Sequence, residues 1–222
     1  MAGKFPGGGC ISVLAGTNGA GKSSLAGAAF RERGAEYFNP DEAARRLLGA
    51  NPGVALAQAN SVAWHQGRRL LEEAIREGKT YAFETTLGGT TIPRLLHRGL
   101  DRGRDVRMWY AGLESPELHI ARVRARVAKG GHDIAEATIR ARYVESRKNL
   151  VDIIPRLSEL RVFDNSVERD PTTGATPEPR LILHMRTGEI HEMCAIRAVP
   201  VRAKPIAASA LRLGRPGWRL GA

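Results

Sequence analysis

Residues 16–23 read Gly-Thr-Asn-Gly-Ala-Gly-Lys-Ser, the most informative stretch of the chain. The pattern Gly-x4-Gly-Lys-Ser lets the backbone curl so that successive amide N–H groups face one phosphate. The apolar run before it, residues 10–15, predicts a buried strand, and residues 23–33 predict a helix whose positive end strengthens the cradle. We therefore expect a P-loop, in which Lys22 reaches the β- and γ-phosphates of ATP or GTP and Ser23 ligates Mg²⁺. The predicted nucleotide-binding residues are Gly16, Thr17, Asn18, Gly19, Ala20, Gly21, Lys22, Ser23 and Ser24.

Predicted strands and helices alternate along the rest of the chain. Short apolar segments at 36–39, 80–83, 106–112 and 161–163 predict strands. Amphipathic segments at 41–48, 54–77 and 91–102 predict helices, and residues 181–186 could pair with 190–193 as a hairpin. This alternation predicts an α/β fold, a P-loop NTPase-type parallel sheet flanked by helices, with ligands at the carboxyl ends of the strands.

Two further helices are predicted between residues 115 and 150. Ser115-Pro116-Glu117 is a typical helix start, with a hydroxyl cap, a proline in the first turn and an acid. This helix runs to about Lys129, Gly130-Gly131-His132-Asp133 interrupts the pattern, and a second helix covers residues 135–150. We interpret the pair as a helical lid, because small kinases often carry phosphate-binding arginines on a mobile lid.

The net charge of +11 is concentrated toward the C-terminal end. Residues 197–222 carry six basic side chains and no Asp or Glu, so the rest of the chain is only mildly basic. This distribution disfavours a nucleic-acid-binding face spread over the fold. We expect a P-loop domain over residues 1–196. We expect residues 197–222 to form a basic, proline-containing tail that is poorly ordered, or ordered only by packing on the domain.

Composition also indicates the compartment. No apolar run approaches the ~18 residues that a membrane-spanning helix needs, so no membrane partner is expected. The first residues lack the long apolar core of a secretory signal. Cys10 and Cys194 are the only cysteines, too few and too far apart for a metal cluster or a disulfide framework. These features predict a cytoplasmic protein.

Two carboxylates follow predicted strands, at the edge of the sheet where the P-loop also lies. Asp41 follows the second predicted strand and Glu84 the third. Phosphoryl transfer needs one carboxylate to orient and deprotonate the acceptor hydroxyl, and another group to hold the acceptor. Asp41 could instead only cap a helix after Pro40. An acid that closes an apolar strand is costly unless it faces a cleft, which favours a functional role for Glu84.

Basic side chains recur on both predicted lid helices. Guanidinium groups placed there could stabilise the charge of a transferring phosphoryl group, or they could form a solvated face on an arginine-rich protein. On the first helix the spacing i, i+4, i+7 puts three of them on one face. The residues concerned are Arg122, Arg126 and Lys129 on the first helix and Arg140, Arg142 and Arg147 on the second.

Six short stretches form a recognisable set over most of residues 10–166. They are Ala-Gly-Thr-Asn-Gly-Ala-Gly-Lys-Ser-Ser (15–24), Phe-Asn-Pro-Asp-Glu (38–42), Phe-Glu-Thr-Thr (83–86), Arg-Val-Ala-Lys-Gly-Gly-His-Asp-Ile (126–134), Arg-Tyr (142–143) and Phe-Asp-Asn-Ser (163–166). In this order they resemble the zeta toxin-like kinases, P-loop proteins of which several phosphorylate UDP-N-acetylglucosamine. The chain is shorter than the well-known toxins of that family, and its lid hinge is a Gly-Gly-His-Asp turn rather than a longer loop.

The resemblance implies roles for individual residues. Lys22 and Ser23 would serve ATP and Mg²⁺, and Asp41 would be the base for a sugar hydroxyl. Lid arginines would clamp the phosphates, and Arg126 and Arg140 fit that role best. The residues assigned to the acceptor and its phosphates are Glu84, Thr86, Arg122, His132 and Arg142.

Three functions compete on this evidence. The first is an ATP-dependent kinase for a hydroxyl of a small-molecule or nucleotide-sugar acceptor, acting as a toxin that a small antitoxin protein neutralises. The second is a housekeeping or resistance kinase for another metabolite. The third is a nucleotide- or RNA-binding module whose basic tail grips phosphates, which would leave Asp41 and Glu84 without a role.

Overall fold

The computed structural model describes residues 9–22, 25, 37–167 and 178–214. Seven strands lie within them: β1 (Cys10–Ala15), β2 (Tyr37–Phe38), β3 (Tyr81–Thr85), β4 (Asp105–Gly112), β5 (Glu159–Asp164), β6 (Arg180–Arg186) and β7 (Glu189–Met193). The same residues contain six α-helices: α1 (Pro40–Ala50), α2 (Leu56–Glu77), α3 (Thr91–Asp101), α4 (Pro116–Val127), α5 (Glu136–Ile153) and α6 (Lys204–Leu213). Apart from Leu25, the helix predicted at 23–33 falls outside the described residues, and so do Ser23 and Ser24.

A single sheet joins the seven strands in the order β2-β3-β1-β4-β5-β6-β7. The first five strands pair in parallel, which confirms the predicted α/β, P-loop NTPase-type fold. The predicted hairpin is also confirmed, since β6 and β7 pair with each other in antiparallel fashion. Because β6 also pairs antiparallel with β5, the hairpin extends the sheet, which is mostly and not wholly parallel.

Strand β1 is buried on both faces, at the centre of the sheet. Alternate side chains of a strand point to opposite faces. Ile11 and Val13 join a large cluster that includes residues of α2, α3, α5 and α6. Leu14 belongs to a second cluster with Trp109, against which Leu25 packs. The P-loop follows β1 directly, so the burial of this strand on both faces fixes the loop at the carboxyl edge of the sheet, between β3 and β4.

The two lid helices begin much as the sequence predicts. The Ser115 hydroxyl accepts a hydrogen bond from the backbone N–H of Leu118 at 3.2 Å, and Pro116 is the first residue of α4. Helix α4 ends at Val127 and α5 begins at Glu136. None of the helices in the described part of the chain is long and apolar enough to cross a membrane.

The segment after Arg197 is more regular than its sequence predicts. Up to Gly214 it forms short 3₁₀ turns and helix α6, which packs into the main core through Ile206 and Ala210. Arg202, whose side chain is 2% exposed, donates to Asp164 at 2.5 Å. Burial alone would raise the pKa of Asp164, but the Ser166 hydrogen bond and the Arg202 charge outweigh it and lower that pKa. The described part of this segment thus packs on the domain.

Candidate active site

The backbone of residues 16–22 forms the tight loop that the motif predicts. Gly16 has a φ of 143°, and its N–H donates to the carbonyl oxygen of Thr85 at 3.2 Å. A Cβ at this position would lie 2.2 Å from the carbonyl oxygen of Ala111, so only glycine fits there. Lys22 folds back across the loop and donates from Nζ to the carbonyl oxygen of Gly16 at 2.8 Å. A glycine-turned backbone with a lysine folded across it fits a phosphate cradle.

Glu84 is the carboxylate nearest the P-loop lysine. Its Oε1 lies 3.4 Å from Lys22 Nζ, and the two side chains are only 11% and 7% exposed. Its Oε2 accepts from the Tyr37 hydroxyl at 2.9 Å and from Asn39 Nδ2 at 3.2 Å. These partners offset the cost of burying the carboxylate. They also fix Glu84 at the boundary between the P-loop and the neighbouring cavity.

Asn39 uses both ends of its amide. Its Oδ1 accepts from the backbone N–H groups of Asp41 and Glu42 at 2.9 and 3.3 Å, and so caps helix α1. Its Nδ2 donates to Glu84, which ties the start of α1 to the end of β3. Since Asn39 is the cap, the carboxylate of Asp41 is not needed for that role.

Asp41 lies where the lid meets helix α1. Its carboxylate Oδ2 is 3.7 Å from Nη1 of Arg126, and the Asp41 side chain is 44% exposed. Such a half-exposed pair contributes little to stability. Asp41 lines two adjoining cavities, one of them also lined by the P-loop residue Asn18. The carboxylate is therefore placed to meet a molecule in either cavity.

Three side chains from distant parts of the sequence hold the P-loop in place. His119 Nδ1 donates to the carbonyl oxygen of Asn18 at 2.7 Å. Asn165 Nδ2 donates to the carbonyl oxygen of Ala20 at 2.9 Å. Arg142 Nη1 donates to Asn18 Oδ1 at 2.8 Å. The loop is thus anchored by α4, by the residue after β5 and by α5.

Burial of the ring, together with the positive charges of Lys22 and Arg202, lowers the pKa of His119 from 6.5 to about 4. We expect the free energy of unfolding to fall as the pH drops from about 6.5 toward 4. In this window the unfolded chain binds a proton at His119 and the folded chain does not, so the loss is about 1–3 kcal/mol. Urea unfolding at pH 7 and pH 4.5 measures it.

The control for this prediction is His119→Asn. Asparagine keeps an N–H donor near the position of Nδ1 but does not titrate. Its free energy of unfolding should therefore fall less than the parent's between the two pH values, even if it starts lower. An equal fall in both proteins would show that His119 does not cause the pH dependence.

Arg142 is the lid arginine closest to the P-loop. Burial lowers its pKa, while the charges of Asp41 and Glu145 act in the opposite direction. Its backbone oxygen also accepts from the Thr17 hydroxyl at 3.4 Å. A partly buried guanidinium between the P-loop and Asp41 is well placed to meet the charge of a phosphate.

A cavity beside the P-loop, which we call the P-loop cavity, has a volume of about 590 Å³. It extends from Asn18 and Arg142 to Trp64 on helix α2. Every residue from Phe83 to Pro93 contributes to its lining. Of the predicted acceptor residues, Glu84, Thr86, His132 and Arg142 line it, together with Asp41. A cavity of this size is suited to a small molecule.

Other predicted residues lie elsewhere. Arg122 and Arg126 line the second cavity, of about 800 Å³, which shares Asp41 and His132 with the first. Arg140 lines neither cavity, and its Nη1 pairs with Glu117 of helix α4 at 2.6 Å. The structure therefore brings Arg142, and not Arg140, to the P-loop.

Several residues of the site were not assigned a role from the sequence. Asn39 was identifiable, because Asn before Pro-Asp-Glu is a helix-start pattern. Asn165 lies in the Phe-Asp-Asn-Ser stretch, but nothing in that sequence predicts the hydrogen bond between Asn165 and Ala20. His119 and Trp64 carry no local signal, since their positions depend on how α4 and α2 pack.

The fold and the cradle together define a P-loop NTPase-like domain, a nucleotide-binding fold. The sequence matches the AAA domain family over residues 11–150, more than half of its length. The chain belongs to this family. It is also 33% identical, over 132 residues, to an uncharacterized protein of Haemophilus influenzae, a match that covers 58% of this chain and 88% of that protein.

Two solved structures resemble the whole described domain. The AvrRxo1-ORF1:AvrRxo1-ORF2 complex with ATP matches with a TM-score of 0.64 at 17% identity, covering 98% of this chain and 67% of that chain. The same complex with sulphate ions matches with a TM-score of 0.63 at 18% identity, with the same coverage. At this level of identity the likeness shows the fold alone.

Proposed function

We propose that this protein is an ATP-dependent kinase that transfers the γ-phosphoryl group to a hydroxyl of a small molecule. The observation that carries the proposal is the P-loop cavity, which joins the P-loop residue Asn18 to the two carboxylates Asp41 and Glu84. A protein that only binds nucleotide has no need for an adjoining cavity of about 590 Å³ with two acids in its wall. A kinase needs this arrangement, because donor and acceptor must meet.

In this proposal each residue has one role. The P-loop backbone and Lys22 hold the β- and γ-phosphates, and Ser23, on the evidence of the motif, ligates Mg²⁺. Asp41 accepts the proton of the acceptor hydroxyl, whose oxygen forms the new bond to phosphorus as the bond to the β-phosphate oxygen breaks. Glu84 and Thr86 hold the acceptor, and Arg142 and Arg126 stabilise the charge of the group in transfer.

The wall of the cavity supports a ring-shaped, hydroxyl-rich acceptor. Phe38, Trp64 and Phe83 supply aromatic surface, and threonine, serine and asparagine side chains supply hydrogen-bonding groups. Arg68 lies 5.9 Å from the Trp64 ring centroid. Together with the resemblance to zeta toxin-like kinases, this makes UDP-N-acetylglucosamine the first acceptor to test, and another hydroxylated metabolite the alternative.

The direct test is ADP release from ATP and Mg²⁺ with a panel of acceptors. The panel contains UDP-N-acetylglucosamine, N-acetylglucosamine, free hexoses, polyols and nucleosides. A kinase releases ADP faster with at least one hydroxylated acceptor, and mass spectrometry then finds the phosphorylated product. ADP release that no acceptor stimulates would contradict the kinase proposal and leave a nucleotide-binding or ATP-hydrolysing protein.

Arg142 and Arg140 form a matched pair for testing the lid. We expect Arg142→Ala to lower phosphoryl transfer by on the order of 10²-fold, because it removes a guanidinium beside the P-loop. Arg140→Ala removes the same group from the same helix, but from an exposed pair with Glu117, and should leave the rate within a few fold of the parent. Steady-state rates of both variants check this prediction. A larger loss in Arg140→Ala than in Arg142→Ala would reverse our assignment.

A protein partner is the further part of the proposal. The solved relatives in fold are two-protein complexes, and the resemblance to the zeta toxin-like kinases implies an antitoxin. If the protein is a toxin, its expression arrests growth, Lys22→Ala abolishes the arrest, and a protein encoded next to its gene relieves it. Unimpaired growth at high expression would favour the housekeeping or resistance kinase.

The described part of the tail, residues 197–214, argues against the nucleic-acid alternative. Arg202, one of its basic residues, is buried against Asp164 and cannot contact a nucleic-acid backbone. That alternative predicts a salt-sensitive affinity for RNA.

A further inference from the structure

The loop after β3 has an unusual backbone. Leu87 has a φ of 56°, which is unfavourable for a leucine, although its side chain is almost completely buried in the main core. Within the loop, the N–H of Leu87 donates to the Thr85 hydroxyl at 3.1 Å and that of Gly88 to the Thr86 hydroxyl at 3.4 Å. A strained conformation of this kind persists only where surrounding contacts fix it.

Asn149 of helix α5 supplies such contacts. Its Nδ2 donates to the carbonyl oxygen of Leu87 at 2.8 Å and to that of Gly89 at 2.9 Å. Both partners are carbonyl oxygens, which only accept, so the side chain must present its NH₂ group to the loop. One amide thus uses both of its hydrogens to hold the two residues that flank Gly88.

The same helix face also holds the P-loop. Arg142 lies seven residues before Asn149, two helical turns away on the same side of α5, and donates to Asn18. Gly88 packs directly on this helix, since a Cβ there would lie 2.7 Å from Arg142 Cγ and 3.0 Å from Arg142 Cα. Helix α5 therefore touches both the P-loop and the wall of the P-loop cavity.

We propose that Asn149 is a positioning residue, which holds the loop 85–90 so that the acceptor is aligned with the P-loop. The proposal rests on the proposed kinase function. Asn149 does not line the P-loop cavity, so its effect passes through the loop. Its loss should therefore impair acceptor use much more than nucleotide binding.

The sharpest variant is Asn149→Asp. Aspartate has nearly the same shape, but its carboxylate accepts only, and it would face two carbonyl oxygens. We expect phosphoryl transfer to fall by on the order of 10²-fold, with a raised KM for the acceptor, because small misplacements of reacting groups have effects of this size. The Kd for ATP, measured by calorimetry, should stay within a few fold of the parent. Asn149→Gln, which keeps an NH₂ group, should recover part of the transfer rate.

Gln58→Glu is the matched control, because it adds the same charge at an exposed position outside the cavity lining. Hydrogen exchange of the amides of residues 85–90 provides a readout that does not depend on transfer. Exchange should speed up in Asn149→Asp and not in Gln58→Glu, while exchange in the core strand β4 stays unchanged. If Asn149→Asp does not fold, Asn149→Ala, which removes both donors without adding charge, is measured in the same way.

The outcomes separate this inference from the kinase proposal. Faster exchange in the loop together with impaired transfer supports both. Unchanged exchange and an unchanged acceptor KM in the Asn149 variants would overturn the positioning role while leaving the kinase intact. If the parent itself phosphorylates nothing in the acceptor panel, the kinase proposal fails and the positioning role fails with it. The exchange data then show only whether Asn149 orders the loop.

Discussion

Lys22→Ala is expected to abolish phosphoryl transfer, with a loss of at least ~10³-fold. Lys22 is the only lysine among the described P-loop residues, and its ammonium group donates to the carbonyl oxygen of Gly16. In the proposed reaction Lys22 holds the β- and γ-phosphates, whereas Arg142, which donates to Asn18, stabilises the group in transfer. ADP release in the presence of the active acceptor measures the effect, and circular dichroism checks the fold.

This variant also leaves Glu84 buried without its lysine partner, so its stability must be measured separately. Tyr37 and Asn39 still donate to the carboxylate, which limits the loss. Lys22→Met, which restores the length of the side chain without its charge, distinguishes lost charge from lost packing. Lys148→Ala removes an exposed lysine from helix α5 and is the control. Near-parental turnover in a folded Lys22→Ala protein would end the kinase assignment.

Asp41→Asn is expected to lower phosphoryl transfer by roughly 10²–10⁴-fold, the usual contribution of a positioned base. The Kd for ATP should change little, because the nucleotide contacts lie in the P-loop. Stability should change by no more than ~1 kcal/mol, because Asn39 and not Asp41 caps helix α1. The measurement is paired: calorimetry for ATP and phosphoryl transfer for the acceptor.

Glu42→Gln is the matched control for this variant. It removes one negative charge from the same first turn of α1, at a residue that lines neither cavity. Its transfer rate should stay close to that of the parent. Should Asp41→Asn lose ATP binding and transfer together, the carboxylate serves the metal or the fold. Should it lose neither, Asp41 is not the base.

The parts of this structure that local sequence determines were predictable. The P-loop follows from glycine and lysine spacing, the hairpin from the Thr187-Gly188 turn between two short segments, and the start of α4 from Ser115-Pro116-Glu117. Glu84 beside the P-loop and Asp41 in the wall of the adjoining cavity could be expected, because the carboxyl ends of parallel strands share one edge of the sheet.

Contacts that depend on how a helix is rotated against the sheet could not be predicted. Arg140 and Arg142 lie two positions apart on α5, and no local pattern tells which of them faces the P-loop. The two hydrogen bonds of Asn149 depend on the same rotation. Helix α6 was missed because its short pattern becomes stable only when Ile206 and Ala210 are buried by the domain.

The position of α6 has a consequence for the order of folding. Ile206 and Ala210 complete the same hydrophobic cluster as Ile11 and Val13 of the first strand. During synthesis the ribosome must therefore release residues near the end of the described chain before the core around the first strand can close. Until then Asp164 lacks its buried partner Arg202, and the unfinished core exposes apolar surface on which a nascent chain can aggregate.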